Sequence, residues 1–256
     1  MNARSLSLAA ALALAAAGVA CGTSASTPAV PLRVAMAPEV SNLDPHRQNT
    51  HGGLSVCSNV YESLTAFDPE MRVGPGLAVR WENPDELTWR FHLRPGVLFH
   101  DGRALTSADV VKSLERARRP GSSAGGGLRV VRDIAAEGPN VVVIHTTRAN
   151  PMLLNNLATA FVTPHDAPDD ITTPVGTGPY RFVRFEPGRT VELTAWERHW
   201  REAPRAAGVS FVFEADPDRR LALLTSGAVD VALRLAENAA LTTAAGCRLM
   251  WRPAPG

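Results

Sequence analysis

The sequence predicts an α/β fold, and three observations lead to that prediction. Short segments in which apolar and polar residues alternate, as in strands, recur between residues 32 and 146. Segments with helical spacing of apolar residues lie among them, at 54–64 and 110–117. After Pro168 the strand-like segments become longer, with a further helical segment between them. A chain that mixes strands and helices in this way favours a sheet covered by helices.

The first strand is predicted at Leu32–Ala37, where apolar residues alternate weakly until Pro38 ends the run. A loop follows through residues 42–46. Leu54 to Leu64 then carries apolar residues at helical spacing, which predicts the first helix.

Residues 78–82 and 88–93 alternate in polarity and predict two paired strands, with the turn at 83–86. The segment Phe99-His100-Asp101-Gly102 predicts a tight turn in which Gly102 takes a positive φ. A short strand leading into a turn is predicted at residues 65–69.

The second helix is predicted to begin after Thr106, because Thr106 and Asp109 form a capping box with Asp in place of Glu. It ends before Pro120, and residues 121–127 form a flexible loop. A hairpin is predicted from 130–135 and 141–146. A short helix then begins at Pro151 and runs through Leu157, with Asn150 as its cap.

The last third of the chain is predicted to be rich in strands. These strands are expected at 180–185, 190–195, 209–213, 229–233 and 248–252. Asp216-Pro217-Asp218 begins a helix from Arg219 to Thr225, which Gly227 ends in a left-handed conformation. A further helix is predicted at 235–245.

The N-terminus predicts export. Residues 1–20 contain a basic start at Arg4 and an uncharged apolar run from Leu6 to Ala20, too short for a membrane span of about 20 residues. Gly18-Val19-Ala20-Cys21 resembles the lipobox of bacterial lipoproteins, so Cys21 is the predicted lipidation site. Cleavage after Ala20 without lipidation is the alternative. Residues 21–31 are expected to be a flexible tether.

Charge and cysteine content restrict the function classes. The chain has 26 basic and 25 acidic residues, a formal net charge of +1, so nothing suggests a nucleic-acid partner. Cys57 and Cys247 either pair in an oxidising compartment or are separate buried thiols, and the sequence leaves both readings open.

Catalytic motifs are absent from the sequence. There is no Gly-x-Ser-x-Gly elbow and no His-Glu-x-x-His, and the seven histidines lack metal-ligand spacing. The Gly176-Thr177-Gly178 segment is followed by Pro179 and a strand, whereas a phosphate loop precedes a helix. The sequence therefore predicts no enzyme, no metal site and no cofactor.

Several ordered motifs resemble one family along nearly the whole chain from Leu32. They are Asn42-Leu43-Asp44-Pro45, Val60-Tyr61-Glu62-Ser63-Leu64, Leu93 to Gly102, Leu105 to Val110, Pro174 to Tyr180, His199-Trp200 and Gly227 to Asp230. In this order and spacing they resemble the extracytoplasmic solute-binding proteins, family 5, of peptide- and nickel-importing ABC transporters. The glycines of these motifs are expected to serve the scaffold rather than the ligand.

The resemblance implies a periplasmic-binding-protein-like (type II) fold, in which two lobes close over a ligand. On that pattern residues 32–59 and 169–252 form a mixed-sheet first lobe, and residues 60–168 form an inserted α+β subdomain. The second lobe of the family lies beyond the residues present, so the chain is expected to represent the N-terminal half.

The resemblance also implies where a ligand binds and which partners are served. The loop Asn49-Thr50-His51-Gly52 and the segment at Asn155-Asn156 approach the ligand in such proteins, and asparagine and threonine satisfy peptide groups without adding charge. The expected function is capture of a small molecule, most consistent with a peptide, for an ABC permease and its ATPase. The protein is expected in the periplasm or on the outer face of the cytoplasmic membrane.

Two alternatives to a peptide binder stay open from the sequence, and nickel as the ligand is not one of them. The tryptophan and arginine that nickel binders of the family use are not evident near residues 121–127 or 158–161, so nickel is not predicted as the ligand. A non-binding remnant of a truncated gene is the runner-up to a peptide binder. An exported hydrolase is the third possibility, and the missing catalytic motifs disfavour it.

Overall fold

A computed structural model of the chain describes residues 30–235. The helices within this range are α1 (His51–Val60), α2 (Ser107–Ala117), α3 (Leu153–Leu157) and α4 (Pro217–Thr225). The strands are β1 (Leu32–Met36), β2 (Thr65–Phe67), β3 (Val73–Pro75), β4 (Ala78–Asp85), β5 (Thr88–Leu93), β6 (Val131–Ala136), β7 (Val141–Thr146), β8 (Tyr180–Glu186), β9 (Thr190–Ala195), β10 (Gly208–Phe213) and β11 (Val231–Ala232).

Several predictions concern residues outside the described range. They are the export signal at 1–20, the lipidation site Cys21, most of the tether at 21–31 and of the helix at 235–245, Cys247, and the strand at 248–252.

A mixed five-stranded sheet forms the first structural unit. Its strand order is β11-β1-β10-β9-β8, with β1 parallel to both β10 and β11 and the other pairs antiparallel. Helix α1 packs on this sheet through Val56, Cys57 and Val60, which share an apolar core with Val34 and Phe211. The predicted α/β class with a mixed sheet is confirmed.

A four-stranded antiparallel sheet forms the second unit, in the order β4-β5-β7-β6. Helix α2 lies over it and buries Val110 and Leu114 in a core shared with Phe91 and Ile144. The two-stranded β2–β3 sheet completes the unit, and β2 packs against α3. The division at residues 60 and 168 remains a prediction, although each sheet has its own apolar core.

The Gly176-Thr177-Gly178 segment lies in the joint between these units. The Gly178 N–H donates to the Val60 carbonyl at the end of α1 (2.9 Å), and the His100 N–H donates to the Gly176 carbonyl (2.9 Å). His100 Nε2 lies 2.9 Å from the Gly178 carbonyl oxygen, to which it donates. A Cβ on Gly176 would come within 1.9 Å of the Val60 oxygen, so this close approach requires glycine.

Most predicted elements are present, with shifted bounds. Helix α1 begins at His51 rather than Leu54, because Thr50 caps it by accepting from the Gly53 N–H (3.1 Å). Its first turn contains two glycines, which give no apolar signal. Helix α3 begins at Leu153, not Pro151, and Met152 rather than Asn150 is its N-cap residue.

Three local predictions on turns and caps have clear outcomes. Gly102 and Gly227 have φ values of +90° and +73°, as predicted for their turn and helix end. The Asp109 carboxylate accepts from the Thr106 N–H (2.8 Å) at the start of α2, which confirms that part of the capping box. The turn lies later in the chain than the predicted 83–86, because β4 continues to Asp85 through a bulge that accommodates Pro84.

Cys57 is buried in α1, and burial raises the pKa of its thiol to about 12. Cys247 lies outside the described residues, so the pairing of Cys57 with Cys247 stays an open question.

Within residues 30–235, none of the helices combines the length and apolarity needed to cross a bilayer.

We predict that Gly176→Ala destabilises the protein by about 1–3 kcal/mol or more, because the added Cβ overlaps a backbone oxygen that cannot move independently. Urea unfolding followed by circular dichroism measures the change. Gly126→Ala is the matched control, since a Cβ there meets nothing within 4 Å, and it should change stability by less than about 0.5 kcal/mol. Equal effects of the two substitutions would contradict the close approach at Gly176.

Candidate functional site

A cavity of about 220 Å³ lies at the carboxyl ends of the parallel strands β1 and β11. Its lining comes from the ends of these strands and from the first turn of α1. The lining residues are Met36, Ala37, Glu39, His51, Gly52, Ser55, Leu233 and Arg234. Ligands of open α/β sheets bind at the carboxyl ends of the strands, which makes this cavity the candidate site.

The loop after β1 and the first turn of α1 are held together beside the cavity. Thr50 Oγ1 donates to the Glu39 carbonyl (3.0 Å), and Glu39 Oε2 accepts from the Gly52 N–H (3.3 Å). A Cβ on Gly52 would lie 2.7 Å from Met36 Cε, so the helix start packs tightly on the end of β1. The carboxylate of Glu39 thus faces the positive end of α1.

Arg234 closes the cavity from the opposite side. Its Nη1 lies 2.6 Å from Glu39 Oε1, and both side chains remain partly exposed, at 60% for Arg234 and 30% for Glu39. Arg234 has a φ of +52°, an uncommon conformation for a residue with a side chain. The segment after β11 therefore bends sharply where it meets the loop after β1.

The predicted ligand residues fall into two separate groups. Asn49 is exposed, Thr50 is the cap of α1, and His51 and Gly52 line the strand-end cavity. These four residues are brought together as one helix start. Their role in binding a ligand remains a prediction.

Asn155 and Asn156 lie on α3, in the second structural unit. Asn156 Nδ2 donates to the Gly127 carbonyl (2.8 Å), and its side chain fills the space where a Cβ on Gly127 would stand. Neither asparagine is among the residues that line the strand-end cavity. Asn156 therefore has a structural role within this unit. Asn155 is half-buried.

Sequence reasoning missed Glu39 and Arg234. A signal for Glu39 was present, since it directly follows the first strand and Pro38, where parallel-sheet ligands bind. Arg234 carried no comparable signal, because its φ and its ion pair depend on how β11 pairs with β1.

A buried polar network lies next to the same loop and ties it to the second unit. Arg116 Nη2 and Nη1 donate to Asp44 Oδ2 (2.6 Å) and Oδ1 (2.7 Å), and the side-chain exposure is 11% for Arg116 and 1% for Asp44. Arg116 Nη1 also donates to His46 Nδ1 (2.8 Å), and Nη2 to the Asp169 carbonyl (2.9 Å). One guanidinium therefore joins three chain segments.

The partners of His46 determine its tautomer. Arginine only donates and a carbonyl only accepts, so Nδ1 carries the lone pair and Nε2 donates to the Phe161 oxygen (2.8 Å). Burial lowers the pKa of His46 to about 4. Burial alone would raise the pKa of Asp44, but hydrogen bonds from Arg116 and the His46 backbone hold it below its ordinary value.

No group of three or more histidine, cysteine, aspartate or glutamate side chains with suitable geometry occurs within residues 30–235. The strand-end cavity contains one carboxylate and one imidazole among its lining residues, and the carboxylate is already paired with Arg234.

Comparisons with known proteins connect this architecture to one family. The profile of the bacterial extracellular solute-binding proteins, family 5 Middle, matches residues 72–246. The glutathione-binding protein GsiB of Pectobacterium atrosepticum is 29% identical over 211 residues, covering 76% of this chain and 40% of GsiB. The nickel-binding protein NikA of Staphylococcus aureus is 27% identical over 168 residues, covering 64% of this chain and 34% of NikA.

Solved structures agree with this result. MoaA from A. tumefaciens R10, in complex with mannopinic acid, matches with a TM-score of 0.74 at 30% identity, over 80% of this chain and 45% of MoaA. NikZ from Campylobacter jejuni, in complex with Ni(L-His), matches with a TM-score of 0.74 at 28% identity, over 80% of this chain and 43% of NikZ. The chain thus spans less than half the length of these relatives.

We predict that Arg116→Ala destabilises the protein by about 3–5 kcal/mol, because it leaves the buried Asp44 carboxylate without its partner. Chemical unfolding at neutral pH measures the loss. Arg119→Ala is the control: Arg119 pairs with Asp169 at the surface, and its loss should cost at most about 1 kcal/mol. A small effect at Arg116 would show that the buried pair is dispensable.

We also predict that stability falls by about 2 kcal/mol between pH 7 and pH 5 through His46. The unfolded imidazole takes up a proton near pH 6.5 and the folded one only near pH 4, so the unfolded state binds more protons in this window. Stability therefore declines as pH drops from about 6.5 toward 4. Unfolding free energies measured across this range for the parent and for His46→Gln test the effect.

The glutamine offers an acceptor and a donor of similar reach but does not titrate, so His46→Gln should flatten the pH dependence. His145→Gln is the control, since His145 is more exposed than His46 and pairs with Asp133 on β6. An unchanged slope in His46→Gln would mean that other groups cause the decline.

Proposed function

The chain belongs to the bacterial extracellular solute-binding proteins, family 5, and we propose that it is the solute-binding component of an ABC importer whose ligand is most consistent with a peptide. The observation that carries the proposal is the cavity at the carboxyl ends of β1 and β11, because it combines the Glu39–Arg234 ion pair with apolar walls. Because the chain spans less than half of its relatives, the importer role is inferred for the whole protein.

The proposed domain map follows from this role. Residues 32–59 and 169–252 are assigned to a first lobe, and residues 60–168 to an inserted subdomain. The separate apolar cores of the five-stranded and four-stranded sheets support this division. The remainder of a binding cleft is expected from a second lobe.

The proposed mechanism is closure of two lobes around the ligand. A ligand that contacts both lobes favours the closed state by the difference in its affinity for the two states. The strand-end cavity supplies one wall of the cleft, with His51 and Gly52 at the start of α1. The permease and its ATPase supply the energy of transport, so this chain needs no catalytic residue.

The proposed location is the periplasm or the outer face of the cytoplasmic membrane. The signal-like apolar run within residues 1–20 and the resemblance of Gly18 to Cys21 to a lipobox support this location. Mass spectrometry of the mature N-terminus distinguishes a lipid-anchored form from a soluble form cleaved after Ala20.

We predict that the melting temperature of the full chain rises with the concentration of a bound peptide. A ligand at 100 times its dissociation constant adds about 2.7 kcal/mol to stability. A panel of di- to pentapeptides, tested by thermal unfolding, measures the effect. No shift across the panel would favour a chain that does not bind peptides.

The site is tested with single substitutions in the same assay. His51→Ala should weaken binding roughly two- to tenfold, the loss expected for one hydrogen bond. His145→Ala, on β7 of the second unit, should bind like the parent. Asn155→Ala tests the other predicted group, and unchanged binding by both His51→Ala and Asn155→Ala would contradict the proposed ligand residues.

A further inference from the structure

A second cavity lies at the opposite end of α1, between the two structural units. Its volume is about 510 Å³, within the range of small-molecule sites. It is lined by Ser58, Tyr61, Glu62, Ser63, Thr65, Ala66, Phe67, Gly76, Ala158, Phe161, Pro179, His199, Arg201, Glu202 and Pro204. The two cavities border different parts of α1, since Ser55 lines the strand-end cavity and Ser58 lines this one.

The hydroxyl groups of this cavity all use their protons elsewhere. Ser58 donates to the Ser55 carbonyl (3.0 Å), Ser63 to the Ala158 carbonyl (3.1 Å) and Thr65 to the Leu154 carbonyl (2.7 Å). A hydroxyl has one proton, so each of these groups presents only lone pairs to the cavity. The same holds for Tyr61, which donates to the Leu43 carbonyl (3.2 Å).

The Glu62 carboxylate, on the inner wall, can accept further hydrogen bonds. Glu62 Oε2 accepts from Thr177 Oγ1 (2.9 Å) and Trp200 Nε1 (2.8 Å), but Oε1 has only His199 Nε2 at 3.4 Å. The His199 side chain is 4% exposed, and its Nδ1 is buried without a hydrogen-bond partner. The other ring nitrogen, Nε2, faces the Glu62 carboxylate.

Carboxylates outnumber arginines among the residues that line the cavity. The lining contains Glu62 and Glu202 and one arginine, Arg201. The guanidinium of Arg201 lies over the Trp200 ring, 4.4 Å from the ring centroid, and that of Arg94, outside the lining, lies over the same ring at 3.9 Å. The C-terminal end of α1, where Ser58 lies, carries the negative end of the helix dipole.

We propose that this cavity binds a small organic cation that has several N–H donors and a short apolar body, such as a primary alkylammonium ion. The ammonium group matches a wall of acceptors around Glu62. The apolar body matches the rings of Tyr61, Phe67 and Phe161 and the two prolines of the lining. The site is independent of the solute-binding role proposed above.

Three probes of equal chain length separate the contributions to binding. n-Hexylammonium has charge and N–H donors, hexyltrimethylammonium has charge without donors, and 1-hexanol has neither charge nor an ammonium group. Each is titrated into the full chain labelled with ¹⁵N, and the indole N–H signal of Trp200 is followed because it donates to Glu62. Loss of one signal in Trp200→Phe assigns it.

The expected result is a saturable shift with n-hexylammonium and at least about tenfold weaker binding of the other two probes, since charge-assisted hydrogen bonds are lost. Equal binding of the ammonium and trimethylammonium probes would overturn the role of N–H donors. Equal binding of hexanol would overturn the role of charge, and the absence of a saturable shift would overturn the site.

Two variants and a control connect binding to the cavity. Glu62→Gln keeps an oxygen for Thr177 and Trp200 but removes the charge, and it should weaken n-hexylammonium about tenfold or more. Ala158→Leu fills the cavity without changing a charge and should abolish the shift, which keeps the test valid if Glu62→Gln unfolds. Glu192→Gln, on strand β9 with its side chain partly exposed, should bind like the parent. Parental affinity in Ala158→Leu would overturn the proposed location.

Discussion

The bidentate ion pair between Asp44 and Arg116 is the interaction on which the relative placement of the two structural units depends. Asp44 follows the first strand of the mixed sheet, whereas Arg116 lies at the end of the helix that covers the four-stranded sheet. An unpaired carboxylate at 1% exposure would be strongly unfavourable. The pair is therefore formed only when both units dock, and His46 and the Asp169 carbonyl accept the other two hydrogen bonds from Nη1 and Nη2.

Helix α1 connects this joint to both cavities. Its first turn packs on the end of β1 and lines the strand-end cavity, and its last carbonyl, on Val60, accepts from Gly178. The residues that follow, Tyr61 and Glu62, reach the buried loop at Leu43 and the Thr177 hydroxyl. A displacement of this helix would therefore change both the lining of the strand-end cavity and the contacts at the joint.

The fold was largely predictable from local sequence signals, and the site only in part. Apolar periodicity and caps near Thr106 and Gly227 depend on neighbours in sequence, so they predicted elements well. The network of Asp44 and Arg116 joins residues 72 positions apart. Such contacts have no local signal, which is why the burial of Asp44 could not be predicted from the sequence. The resemblance grouped Asn155 and Asn156 with the start of α1, but the structure gives Asn156 a partner within the second unit.

In the proposed solute-binding role, the charge balance of the strand-end cavity restricts how it discriminates among ligands. Glu39 and Arg234 neutralise each other, and an ion pair with this much exposure contributes only about 0–1 kcal/mol. A ligand cation near Glu39, or a ligand anion near Arg234, displaces the partner at correspondingly small cost. The first unit can therefore accommodate ligand groups of either charge at this cavity and selects only weakly for one sign. Strict selection between ligands then requires contacts from other parts of the protein, because a weak internal pair adjusts to either sign.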